Sequence, residues 1–164
     1  MSDLDEAIKK AKRKIRAEED EIAALDKEAA GYWEVMLKAG AQLKGADASH
    51  VVSAMYDAYF ATKRKMQRIE LALEGKRKIL TALNDASTLA DGRKAAAKEI
   101  TREKDELKKL KKEAINLAVD SMDLALKGNK EGSRQKSHEA TQKLKEASRI
   151  EQQIAGKQEI VDLF

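Results

Sequence analysis

The sequence predicts an all-α protein made of two tandem antiparallel helical hairpins, and three observations predict it. No proline occurs in 164 residues, against an average usage of about 5%, so nothing breaks long helices from within. Twenty-seven residues are alanine and only 4% are aromatic, which makes any core a thin seam. The bulky apolar residues that remain recur at alternating steps of four and three, the heptad spacing of helices that pack in pairs.

With proline absent, glycine is the strongest punctuation left. Clusters at Gly45-Ala46-Asp47, Asn84-Asp85 through Asp91-Gly92, and Gly128-Asn129 through Gly132-Ser133 divide the chain into four helices. Ser2 with Asp5 has the form of a capping box for the first helix. Asp47 or Ser49, Asp91 and Ser133 are the caps expected for the others, and Gly45 and Gly128 are expected to close helix C-termini.

The first helix carries the stripe Leu4, Ile8, Ala11, Ile15, Glu18, Ile22, Leu25, Ala29, Tyr32, Met36, Ala39, Leu43, with one charge. The second repeats the spacing at Val52, Met55, Tyr59, Thr62, Met66, Ile69, Leu73, Lys76, Leu80, Leu83, Ser87 and Ala90. Folding the chain back at Gly45 places opposite one another residues whose numbers sum to 94 or 95. Small then faces large in layers such as Ala29/Met66 and Ala11/Leu83, which fills a seam without voids. The only charges in the two stripes, Glu18 and Lys76, meet as a pair expected to set the register.

The second half folds the same way about a sum of 261, giving Leu124/Ser137, Ser121/Ala140, Leu117/Leu144, Ala114/Ala147, Leu107/Ile154, Glu103/Gln158 and Ile100/Val161. The expected domain is thus one helical unit, with hairpin 1 over 2–90 and hairpin 2 over 93–164. Trp33, Val35, Leu37, Val51, Tyr56 and Phe60 add apolar surface near the first turn, and Ile115, Ala118, Val119, Met122 and Leu126 do so near the last. If these swellings cover each other, the chain is an elongated up-down-up-down four-helix bundle packed at the turn end. The alternative is an extended rod in which the second and third helices run nearly continuously.

Composition excludes much chemistry. The absence of cysteine removes disulfides, thiolate metal sites and cysteine nucleophiles. The two histidines, His50 and His138, lie in Asp47-x-x-His50 and Gln135-x-x-His138, neither of which is the Glu-x-x-His of a di-iron bundle. The Gly128 to Arg134 stretch lacks the spacing, the lysine and the preceding strand of a phosphate loop. A seam filled by its own side chains offers no cleft for a serine nucleophile and its base. The reading is therefore of a non-enzyme with no cofactor and no metal. No apolar run approaches the ~18 residues that span a bilayer, and no signal-like segment opens the chain, so the expected location is the cytoplasm.

Two surfaces remain as candidates. Five of the six aromatics (Tyr32, Trp33, Tyr56, Tyr59, Phe60) fall at one end of one hairpin, and Trp33, Leu37, Tyr56 and Phe60 lie outside the seam, as aromatic anchors of an interface would. Basic residues concentrate in the second helix, where Arg64, Arg68 and Lys78 point away from the seam; Glu19 and Glu21 of the first helix approach this stretch. The leading expectation is a structural, assembly or adaptor protein that contacts protein partners or copies of itself. The alternative is a charge-driven helical module for nucleic acid or an anionic membrane surface.

Overall fold

Local capping chemistry and short turns set out the four helices. A computed structural model describes residues 2–164. Helix α1 spans Asp3–Gln42, α2 Gly45–Asp85, α3 Leu89–Leu126 and α4 Lys130–Val161. Ser2 and Asp5 form the expected capping box: the Asp5 amide donates to the Ser2 hydroxyl (3.1 Å), and the Ser2 amide donates to the Asp5 carboxylate (3.2 Å). The Ser2 hydroxyl also donates to the Asp5 carboxylate (2.7 Å); that bond first, and the Ser2 amide's after it, hold the Asp5 carboxyl below its ordinary pKa.

The other starts differ from expectation. Helix α2 begins at Gly45 itself, whose φ of +65° redirects the chain, and its N-cap Lys44 makes no side-chain bond. Thr88 caps α3 in place of Asp91, accepting the Asp91 amide (3.2 Å), and Asn129 caps α4 in place of Ser133, accepting the Gly132 amide (2.9 Å). In both cases an earlier polar side chain captures an amide first, and helix geometry then continues through the expected cap. Ser87 and Ala90 therefore fall outside α2. Gly128 (φ +81°) does follow the end of α3.

Connections of two or three residues force α1 against α2 and α3 against α4, giving the two antiparallel hairpins. From Leu4 to Ala39 every position of the α1 stripe is buried or half-buried, and so is every α2 position from Val52 to Leu83. Lys76 lies inside the seam, 1% exposed, with its ammonium on Glu18. The second hairpin is built alike, but Glu103 meets Lys157, not Gln158. Lys157 is fully buried and donates to Glu103 and to Glu99 (2.8 Å), while Gln158 donates to Asp162 (2.8 Å). Ser121 donates to the Ser133 carbonyl (2.7 Å), and both it and Ala140, its expected partner, are buried.

This shift has a physical cause. Helix α4 must bury two faces: Ala140, Lys143, Ala147, Ile150, Ile154, Lys157 and Val161 toward its own hairpin, and Gln153, Gly156 and Ile160 besides. That phase leaves Leu144, expected opposite Leu117, 55% exposed. Helix α2 has a matching second face at Gly75 and Ile79, both buried and both outside its seam stripe.

The second faces join the hairpins. A Cβ on Gly75 would run into the backbone carbonyl of Gln153, and one on Gly156 into that of Ala72. Below this crossing all four helices share a core of Ala11, Ile79, Leu83, Ala96 and Ile160, closed by Leu4, Ile8, Leu80, Leu89, Val161, Leu163 and Phe164. The hairpins thus pack through α2 and α4 near the chain termini, with no role for the rod alternative. The apolar swellings do not cover each other as expected: Trp33, Leu37, Tyr56, Phe60, Ile115, Val119, Met122 and Leu126 are all exposed. A glycine-to-glycine approach brings helices closer than bulky faces allow, and it lies at the opposite end from the turns.

Three outcomes follow from this packing. Replacing Gly75 or Gly156 by Ala should destabilise the fold by about 1–3 kcal/mol or more, whereas Gly31→Ala, where the added methyl meets nothing, should stabilise it by about 0.5–1 kcal/mol; urea unfolding measures both. Lys157→Ala should cost about 3–5 kcal/mol by stranding Glu103, and adding Glu103→Leu should recover much of it, as a double-mutant cycle would show. Because the folded-state pKa of Asp5 is depressed, its contribution is present above the ordinary carboxylate pKa and lost as pH falls through the folded value. Asp5→Asn should therefore lower stability at neutral pH and match the parent in strong acid.

Candidate anion-binding cleft and exposed apolar ends

Just above the crossing, α2 and α4 enclose an open cleft of about 610 Å³. Arg64, Gln67, Arg68 and Leu71 line one wall, and Lys145, Ser148, Arg149 and Gln152 the other. Four cations and three neutral hydrogen-bonding side chains therefore face one space, and no carboxylate lines it. Arg64, Arg68 and Lys145 have no carboxylate within 4.0 Å among the described residues, and Arg149 reaches Glu74 only at 3.8 Å.

Several cations along the hairpin seams are matched. Lys76 holds Glu18 and Glu159, Lys63 pairs with Asp26 (3.3 Å), Arg77 with Glu19 (3.1 Å), Lys111 with Glu151 (2.6 Å) and Lys143 with Glu113 (3.2 Å). Below the cleft a smaller hollow is edged by Glu18, Glu21 and Glu159, with Arg68 standing between the two.

Of the basic residues singled out from sequence, the structure brings Arg64 and Arg68 together and leaves Lys78 outside the cleft, on exposed surface. The opposite wall, Lys145 and Arg149, is what sequence reasoning missed. A signal for it exists. Arg68-Ile69-Glu70, Gly75-Lys76 and Ile79 recur as Arg149-Ile150-Glu151, Gly156-Lys157 and Ile160. The offset is 81 residues throughout, since 149 less 68 and 156 less 75 both give 81.

The same offset relates every residue on one cleft wall to one on the other: Arg64 to Lys145, Gln67 to Ser148, Arg68 to Arg149 and Leu71 to Gln152. It relates the two glycine contacts as well, because Gly75 meets Gln153 and Gly156 meets Ala72. The hairpins are repeats about a local twofold axis, and the cleft straddles that axis. In the repeat, Glu99 stands to Lys157 as Glu18 stands to Lys76.

The apolar candidates occupy the other end. Trp33 and Tyr59 have ring centroids 5.1 Å apart, Tyr59 and Phe60 5.1 Å edge to face, and Phe60 and Tyr56 4.5 Å, which joins three exposed rings to the half-buried Tyr59 in one cluster. Leu37 lies one helical turn beyond Trp33 and is 59% exposed. The Tyr32 hydroxyl donates to Glu28 (2.8 Å), and that bond, reinforced by the carboxylate's charge, raises the tyrosine pKa. On α3, Ile115, Val119, Met122 and Leu126 form a second exposed stripe with four-three-four spacing.

His50 and His138 are both exposed. Among the described residues no group of three His, Cys, Asp or Glu side chains converges as metal ligands would, and no helix is long and apolar enough to cross a membrane. No protein-family model, curated protein or solved structure matches this chain.

Proposed function

We propose that the chain is a non-enzymatic helical adaptor: a rigid stalk, formed where α2 and α4 cross, carries two hairpin arms whose turn ends hold protein partners or a second copy of the chain. One observation carries this reading. Among the described residues eleven large apolar side chains are 37% exposed or more, and all eleven lie in the turn-proximal half of a helix or, for Leu43, at its cap: from Trp33 to Leu43, at Tyr56 and Phe60, from Ile115 to Leu126 and at Leu144.

Single exposed apolar residues are ordinary, but contiguous apolar patches on a soluble surface mark sites of association. The four-three-four stripe on α3 has the spacing of one strand of a coiled-coil seam lacking its partner, and the aromatic cluster has the composition of an interface anchor. Helix geometry adds reach: the segment of α2 above the cleft, from Gly45 to Arg64, is about 30 Å long at 1.5 Å per residue.

Sedimentation tests the reading. The wild-type chain should exceed its 18.2 kDa monomer mass as concentration rises, or co-sediment with a partner crosslinked through its turn ends. Changing Trp33, Leu37, Tyr56 and Phe60 to Ser should abolish that association with helicity by circular dichroism intact. A wild-type chain that stays monomeric and yields no turn-end crosslinks, or a variant that associates as well as the parent, overturns it.

A further inference from the structure

We infer that the cleft on the local twofold axis binds a short chain of linked phosphates, gripped by Arg64 and Arg68 from α2 and by Lys145 and Arg149 from α4. This goes beyond the adaptor reading and rests on different residues, so either stands if the other falls.

The charge balance is the first argument. Like charges four apart on a helix repel, and here Arg64/Arg68 and Lys145/Arg149 are two such pairs facing each other with no carboxylate in the lining. On these same helices the buried Lys76 and Lys157 and the half-buried Lys143 are each answered by a glutamate. An anion in the cleft would supply the missing counter-charge.

The repeat is the second argument. In the shared Arg-Ile-Glu and Gly-Lys-x-x-Ile pattern, packing explains Gly75/Gly156, Lys76/Lys157 and Ile79/Ile160, which are all buried. Packing does not explain Arg68 and Arg149, which are exposed and yet identical in both halves. A planar guanidinium presents paired donors that match phosphate oxygens, while a lysine adds a point charge. Gln67, Ser148 and Gln152 offer further hydrogen bonds. Because the cations stand on both sides of a twofold axis, the fitting anion carries charge on both sides too, which one phosphate does poorly and two or three linked phosphates do well.

Nucleic acid fits less well. Single-strand binders stack bases on aromatic side chains along a basic track, and no aromatic residue lines this cleft. Glu70 and Glu74 on α2 and Glu146 and Glu151 on α4 also break any continuous basic track along these helices.

The test is calorimetry on the full chain in low salt, about 50 mM, where phosphate binding is strongest. The probes are tripolyphosphate, orthophosphate and a single-stranded oligonucleotide of about twenty bases. Tripolyphosphate should bind one per chain and at least about tenfold tighter than orthophosphate, as expected when several charge-assisted hydrogen bonds act together. The double variant Arg68→Gln and Arg149→Gln should lose at least that factor with unchanged helicity. Lys78→Gln, outside the cleft, should bind like the parent.

Absence of tripolyphosphate binding in low salt overturns the inference. Equal weakening by Lys78→Gln does so as well, since that marks diffuse attraction to a basic protein. Tighter binding of the oligonucleotide through the same arginines would replace the proposed ligand class with nucleic acid.

Discussion

The fold depends on two helix backbones touching where glycine lets them. At Gly75 and Gly156 the α2 and α4 chains approach so closely that a single methyl on either would strike the other's carbonyl. The next residue in each helix, Lys76 or Lys157, is then sealed from water. A buried ammonium is tolerated only when paired, and each lysine finds two carboxylates: Glu18 and Glu159 for one, Glu99 and Glu103 for the other. Such pairs seldom add net stability over a well-packed apolar layer. Their value here is in register, because sliding either hairpin by one turn would strand a charge inside the seam. The Lys76–Glu159 contact also crosses between hairpins, so the same lysine that sets one seam helps dock it on the other.

Joining the hairpins at one place near the termini shapes both candidate surfaces. Two helices leaving a close crossing open a wedge, and the wedge walls are the residues one to three turns above it, Arg64 to Leu71 and Lys145 to Gln152. Farther out, each arm has only its own two-helix seam to bury apolar groups. Side chains outside that seam stay in water, among them Phe60 on the first arm and Met122 on the second. The cationic cleft and the apolar ends are thus consequences of one packing choice, and they are spatially separate.

Half of the cleft was legible in the chain. Arg64 and Arg68 belong to an obvious basic run and lie off the α2 seam, so their exposure followed from helical period alone. Lys78, also basic and exposed, lies ten residues on from Arg68 and past the Gly75 crossing, so it falls beyond the contact that closes the wedge. Lys145 and Arg149 sit in a helix of mixed charge where no run draws attention. They join the site only because the second hairpin repeats the first at an offset of 81, and that repeat rests on a glycine, a lysine and an isoleucine more than on hydrophobic pattern.

What residue order settles here is local: four helices, the Ser2 capping box, the tight turns, the α1–α2 seam and the meeting of Glu18 with Lys76 all follow from periodicity and short connections. Which end of the hairpins meets, which residue answers Glu103 and whether the aromatic cluster is covered were decided by tertiary packing. The reason is that the deciding contact is made by glycine, which adds nothing to a hydrophobic stripe and acts only through the space it leaves. Once α4 turns Gly156 toward α2, its remaining face must rotate to bury Lys157 and expose Leu144, a choice invisible until both hairpins stand side by side.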